Sequence, residues 1–310
     1  MKISQLFKDQ SKFNNLFYEK GMTEKEKEEI TKGLALALHS EVSSLVSSLN
    51  FKDHKINRKP VDLNNMLYES VDILRYLVSI LNLWEISPES LISGLEDKDL
   101  FLNVSHRIGQ NKWCGEPVVI VDVDDVLAEF RCAFTSWMKL KHGILVNKDS
   151  TEYYTTSEVK RAGFNPEDVF FEFIESRGFR DIEVCKDMLK LLNKLKMEGY
   201  WIHLLTARPE ENPIVKYDTF FWIEKNKIPY DRVDFSPEKY RWITQSEYFD
   251  SGRIVCAIDD SPKHASEIAK HGIPVISPSK SYNQELLGKE NIRVFESLLD
   301  SFDHIKKITN

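Results

Sequence analysis

Six residues of this chain share a placement that chemistry can use: Asp122, Asp124, Thr206, Lys239, Asp259 and Asp260. Each follows a short apolar, β-branched run: VVIV before Asp122, WIHLL before Thr206, RVDF shortly before Lys239, and IVCAI before Asp259. Successive residues of a strand point to opposite sides, so Asp122 and Asp124 fall on the same side. Two carboxylates crowded at one strand end repel unless a cation or a proton sits between them. Taken alone, D-x-D is equally a solvated strand end. Joined by a hydroxyl, a lysine and a second acid pair in that order, it becomes equipment for an anionic group such as phosphoryl. A hard, oxygen-liganded cation neutralises such carboxylates with few ligands.

The elements that must position these residues are legible from Pro117 onward. Val118–Val123, Trp201–Thr206, Arg232–Phe235, Ile254–Ile258 and Pro274–Ser277 read as strands. Helical patterns such as Val184–Glu198 and Lys263–His271 fall between some of them. Alternation of this kind predicts a parallel sheet with helices on both faces, whose strand ends bind ligands. The stretch 128–182 is too long for one crossover. It is helical and aromatic (Phe130, Phe134, Trp137, Phe170, Phe171, Phe173) and reads as an inserted cap.

The four strand-end motifs resemble those of the haloacid dehalogenase superfamily of phosphotransferases over residues 117–300. The resemblance implies a Rossmann-like parallel sheet and Mg²⁺ as cofactor. It implies Asp122 as nucleophile through an aspartyl-phosphate and Asp124 as general acid and base. Thr206 and Lys239 would hold the phosphoryl oxygens. Asp122, Asp259 and the backbone carbonyl of Asp124 would hold the metal, with Asp260 a ligand or a support. Lys263 competes for the lysine role but comes after the acid pair, out of motif order. The run Asp122–Phe130 (DVDDVLAEF) resembles the deoxyribonucleotidase branch. There Phe130, Phe134 or Trp137 would stack a base, Arg208 would contact substrate, and Arg177 or Arg180 would reach a phosphate. The plainer reading is that these aromatics pack cap against core.

Residues 1–112 have a different texture. Leu63, Leu67, Val71, Leu74, Val78 and Leu81 recur at alternating steps of four and three, one stripe of a long helix. Leu34, Leu36 and Leu38 lead into a second helical run through Leu49. Phe51–Asp62 reads as a polar loop, and Ser87-Pro88-Glu89 as a helix start. The polar stretch Ile108–Glu116 is the expected domain join. Glu69 and Asp72 share a helix face, and Glu41 follows the upstream run. Gln10, His39-Ser40-Glu41, Phe51-Lys52 and Glu69-x-x-Asp72 resemble the all-α nucleoside triphosphate pyrophosphohydrolases, the group of MazG and the dimeric dUTPases. Lys98, Asn103 and Arg107 resemble that group's later phosphate- and base-contacting residues. The resemblance implies a Mg²⁺ site at Glu41, Glu69 and Asp72 and a homo-oligomer built on these helices. The group's E-x-x-E reads Glu41-Val42-Ser43-Ser44 here, and a serine hydroxyl is a poor Mg²⁺ ligand beside a carboxylate.

Composition narrows the classes. The 310 residues suit two domains: an α bundle over 1–112 and an α/β domain over 117–310 with a cap at about 128–182. A net charge of −7 argues against a broad grip on nucleic acid or anionic lipid. No apolar run approaches the roughly 18 residues of a membrane span. No apolar stretch follows Met1-Lys2-Ile3-Ser4, so no secretory signal is expected. The scattered Cys114, Cys132, Cys185 and Cys256 read as reduced, mostly buried thiols in a cytoplasmic setting. The combined expectation is a Mg²⁺-dependent phosphatase for a nucleoside monophosphate, carrying a nucleotide-binding or dNTP pyrophosphohydrolase domain. A helical domain that only oligomerises and a 3′-phosphatase for nucleic-acid ends are the competing readings.

Overall fold

The computed structural model describes residues 2–18, 21–49, 61–147, 152 and 155–309. Most of the expected loop Phe51–Asp62, with Phe51 and Lys52, lies outside the described residues. The chain divides into two compact units, Met1–Glu96 and Asp97–Asn310. The division falls upstream of the expected join at 108–116, because the helix Pro88–Gln110 runs through both positions.

The first unit is helical: α1 (Ile3–Asn14), α2 (Glu24–Ser47), α3 (Leu63–Leu83) and the start of α4 (Pro88–Gln110). Thr23 begins α2 with a capping box, its backbone N–H donating to the Glu26 carboxylate at 2.7 Å. Ser87 caps α4, accepting from the Ser90 N–H at 3.0 Å, as the sequence predicts. Gln10 is buried and ties α1 to α3, its amide donating to Ser79 Oγ at 3.0 Å. The α3 stripe divides: Val78 is buried, whereas Leu63 and Leu67 remain 72% and 60% exposed.

The second unit follows the expected alternation. Its elements are β1 (Val118–Val121), α5 (Phe130–His142), α6 (Thr156–Arg161), α7 (Pro166–Glu175), α8 (Lys186–Met197), β2 (Trp201–Thr206) and α9 (Pro213–Lys225). Then come β3 (Arg232–Phe235), α10 (Lys239–Thr244), α11 (Glu247–Asp250), β4 (Ile254–Ile258), α12 (Pro262–Ala269), β5 (Val275–Pro278), β6 (Ile292–Phe295) and α13 (Phe302–Thr309). All strand pairs are parallel, in the order β3-β2-β1-β4-β5-β6. β1 is buried along its whole length, as a strand covered on both faces must be. One face packs Val119, Val121, Ile202 and Leu204 with Leu191, Leu195 and Trp222 of α8 and α9. The other packs Val118, Ile120 and Leu205 with Ala265 and Ile268 of α12. A Rossmann-like parallel sheet bearing a helical cap, joined in sequence to a helical bundle, is the architecture the sequence predicts.

The cap leaves and re-enters at one place. An antiparallel bridge pairs Ala128 with Val184, and the Cys185 N–H donates to Leu127 O at 2.8 Å. α5, α6, α7 and a 3₁₀ turn at Gly178–Asp181 lie between. The cysteine expectation needs correction. Only Cys256, inside β4, is buried; Cys185 is half-buried, and Cys114 and Cys132 are exposed. Cys114 falls in the connection into β1 and Cys132 on α5.

Candidate active site

β1 and β4 are neighbours at the centre of the sheet, and the chain leaves them toward opposite edges. Such a switch point opens a crevice at the carboxyl ends of the strands. Asp122 comes directly after β1, its N–H bonded to Ile258 O at 2.9 Å, which aligns it with the end of β4. Asp259 comes directly after β4. Lys239, the first residue of α10, reaches between them. Its Nζ is 2.6 Å from Asp122 Oδ1 and 2.8 Å from Asp259 Oδ2, and only 2% of its side chain is exposed. A buried cation needs such partners. Burial favours the neutral amine, but the two carboxylates outweigh it and hold the Lys239 pKa above its ordinary value. Burial pushes the Asp122 carboxyl up to about 6 against the pull of Lys239. Lys263, the rival lysine, is exposed.

Oxygens of Asp122, Asp259 and Asp260 all lie within 4.8 Å of one another, and all three residues are buried. Asp260 Oδ2 accepts from the Tyr282 hydroxyl at 2.7 Å, while its Oδ1 is buried with no hydrogen-bond partner. Burial, then Asp122 and Asp259, push the Asp260 carboxyl well above its ordinary range. An orphaned carboxylate oxygen in a crowd of acids is costly unless a cation joins it. The all-oxygen donor set fits a hard ion of the Mg²⁺ type.

Asp124 stands apart from that group. Both of its oxygens are taken by Arg208, Nε to Oδ2 at 2.9 Å and Nη2 to Oδ1 at 2.7 Å. Thr206 is fully buried at the end of β2, its Oγ1 accepting from the Arg208 N–H at 3.3 Å. A cavity of about 420 Å³ opens beside Asp124 and Arg208, and Thr206 lies outside its lining. Asp122, Asp124, Lys239 and Arg208 form its polar end, and Phe130, Phe134, Phe170 and Phe179 an aromatic wall. Phe130 lies parallel between Phe134 and Phe179, with centroids 5.6 Å away on each side. The aromatics are therefore both cap packing and cavity wall.

The cavity residues that sequence reasoning missed include Asp125, Arg131, Thr155, Thr156, Phe179 and His264. Asp125, inside the DVDDV run, and His264, four residues after Asp260, carried a signal, as titratable groups in or beside a motif. Arg177 and Arg180 need correction in the other direction. Neither borders the cavity; Arg177 clasps Asp218 and Asp97, and Arg180 also bonds Asp97. Those buried acids leave the arginines no freedom to seek a phosphate.

The N-terminal set is divided by the two units. In the first, Glu41 of α2 meets Glu69 of α3: a hydrogen bond to the Glu69 carboxyl, with Asp72 nearby, raises the Glu41 pKa. Ser44 lies one turn further along α2. Lys98, Asn103 and Arg107 belong to the part of α4 in the second unit. Lys98 and Asn103 are exposed, and Arg107 bonds Glu224 and Tyr230.

The dUTPase family profile matches residues 2–174, more than half of the chain, running from α1 through β1 into the cap. No curated protein sequence matches significantly. Among solved structures, a predicted phosphatase from Clostridium acetobutylicum is 20% identical, covering 63% of this chain and 99% of its own, with a TM-score of 0.46. A haloacid dehalogenase-like hydrolase from Streptococcus pneumoniae is 12% identical over 61% of this chain and 98% of its own, TM-score 0.45. A phosphonoacetaldehyde hydrolase-like protein from Oleispira antarctica is 13% identical over 64% and 95%, TM-score 0.45.

Proposed function

The chain belongs to the dUTPase family, and we propose that its second unit is a Mg²⁺-dependent phosphatase acting on a nucleoside monophosphate. The observation that carries this reading is Lys239 bridging Asp122 and Asp259 at the floor of a cavity with one acidic and one aromatic end. Asp122, Asp259 and Asp260 would hold the ion, which when bound neutralises the phosphoryl oxygens. An Asp122 oxygen attacks phosphorus, forming a new P–O bond as the ester P–O bond breaks. Asp124 gives the leaving alkoxide its proton. A water then cleaves the aspartyl-phosphate, passing its proton to Asp124 and returning Asp122. Lys239 offsets charge on the transferring group. Phe130 and its neighbours supply flat apolar surface for a base.

For the first unit, the family match and the meeting of Glu41 with Glu69 support nucleotide binding. Ser44 removes one carboxylate from the expected metal set, so slow or absent triphosphate hydrolysis is the reading for this unit, within a cytoplasmic homo-oligomer. The test is phosphate release from all common nucleoside mono- and triphosphates, with Mg²⁺ and with excess EDTA. Asp122→Asn is expected to lower turnover by at least three orders of magnitude while leaving the fold intact, since an amide is neither nucleophile nor anionic ligand. Retention of a tenth of wild-type turnover, or full activity in EDTA, would overturn the mechanism.

A further inference from the structure

Arg208 is a buried cation with a choice of anions. Its side chain is 1% exposed, its guanidinium lies 4.3 Å from the Phe179 ring centre, and Nη1 donates to Thr219 Oγ1 at 3.0 Å. Among the described residues, Asp124 is the acid it pairs with. A guanidinium so enclosed cannot be left without an anion except at high cost. Asp124 is equally committed, because both its oxygens are held in the two-pronged geometry that suits a carboxylate. The guanidinium cannot make this two-pronged pair with Asp124 and with a second anion at once. Yet Asp124, Asp122, Lys239 and Arg208 all border the same cavity of about 420 Å³. A phosphoryl group beside Asp122 therefore shares one enclosure with Arg208 and offers it the same paired-oxygen geometry.

We propose that Arg208 passes from Asp124 to the phosphoryl group of the substrate, so that substrate binding itself releases the Asp124 carboxylate from its clasp. Arg208 then binds the reacting phosphoryl group directly, and the catalytic set assembles only around that group. The inference rests on the phosphatase reading above. Its consequence is opposite to that of a simple brace. Asp124 competes with substrate for Arg208, so removing Asp124 must tighten phosphate binding even as it stops turnover.

The experiment titrates inorganic phosphate with Mg²⁺ into the full-length protein by calorimetry. Asp125→Asn is the control. It removes one negative charge from the same cavity and can still accept the Arg131 N–H that Asp125 accepts at 2.9 Å. Asp124→Asn is expected to bind phosphate roughly tenfold more tightly than Asp125→Asn. Arg208→Gln is expected to bind roughly tenfold more weakly than wild type, and adding Asp124→Asn to it should restore nothing beyond the charge effect of the control. Asp124→Ala reads the same comparison if the amide variant unfolds. Equal affinities of Asp124→Asn and Asp125→Asn, or weaker binding by the former, would overturn the exchange while leaving the phosphatase reading in place. Failure of wild type and every variant to bind phosphate would overturn both.

Discussion

His264 shows how strongly this site sets the state of a single side chain. Burial, helped by the Lys239 cation, pushes its imidazole pKa down to about 4. An unfolded histidine titrates near 6.5. A base with a depressed folded pKa stabilises the fold fully above the unfolded value. That contribution is lost as pH falls from about 6.5 to about 4, where the unfolded chain binds the proton first. The loss is on the order of 3 kcal/mol at most. Asp122, held up near 6, changes stability in the opposite sense, so the variant comparison isolates the histidine. His264→Asn is expected to flatten the decline of melting temperature between pH 7 and 4.5, and identical slopes in both proteins would refute this account. At the residue level the sequence yielded Asp122, Asp259 and Lys239, because the first two stand directly after strand ends and Lys239 follows β3 within four residues. It could not yield the pairing of Asp124 with Arg208. Those two meet only through the sheet, and nothing in local pattern distinguishes a free catalytic acid from a clasped one.

The elements were legible where burial leaves a pattern. The strands Trp201–Thr206, Arg232–Phe235 and Ile254–Ile258 have the ends read from sequence. β1 stops at Val121, two residues short, because the chain turns there to present Asp122 and Asp124. β6 went unread: IRVF is a four-residue edge strand whose arginine is exposed, and it lacks the long apolar run of a central strand. The cap's return to the core is also a matter of packing. Arg177 has φ 62° and hands over to Gly178, where an added Cβ would stand 2.3–2.5 Å from the Phe173 ring. Phe173 is itself wedged edge-on against Phe130, Phe134 and Phe179. Gly178→Ala is therefore expected to displace the aromatic wall and destabilise the fold by about 1–3 kcal/mol in denaturant unfolding. It should also raise KM for a nucleotide more than it lowers kcat, since the wall binds and the strand ends react. Wild-type stability together with wild-type KM would mean that the ring yields freely.

At the scale of the whole molecule, the first unit is short of core. Leu36, Leu63, Leu67, Val71 and Leu74 are exposed on α2 and α3, a contiguous helical stripe on α3 with no cover among the described residues. A second copy supplying that cover is the expectation, and Leu67→Lys should shift the sedimenting mass toward monomer at micromolar concentration; an unchanged mass would place the interface elsewhere. The same helices carry the acids whose role the sequence left open. Glu41 and Glu69 lie close enough to share a hydrogen bond. A carboxylate one turn past Glu41, at position 44, would add a ligand and a negative charge, strengthening the draw on Mg²⁺. Triphosphate hydrolysis needs that ion to neutralise phosphates and polarise the attacking water. With the second unit silenced by Asp122→Asn, Ser44→Glu in the full chain is therefore expected to raise pyrophosphate release from dUTP at least tenfold. Brisk release by the Ser44 protein would show that three acids suffice and make the chain bifunctional. No gain from Ser44→Glu would reduce Glu41, Glu69 and Asp72 to a solvated helix face and leave the first unit an oligomerising scaffold.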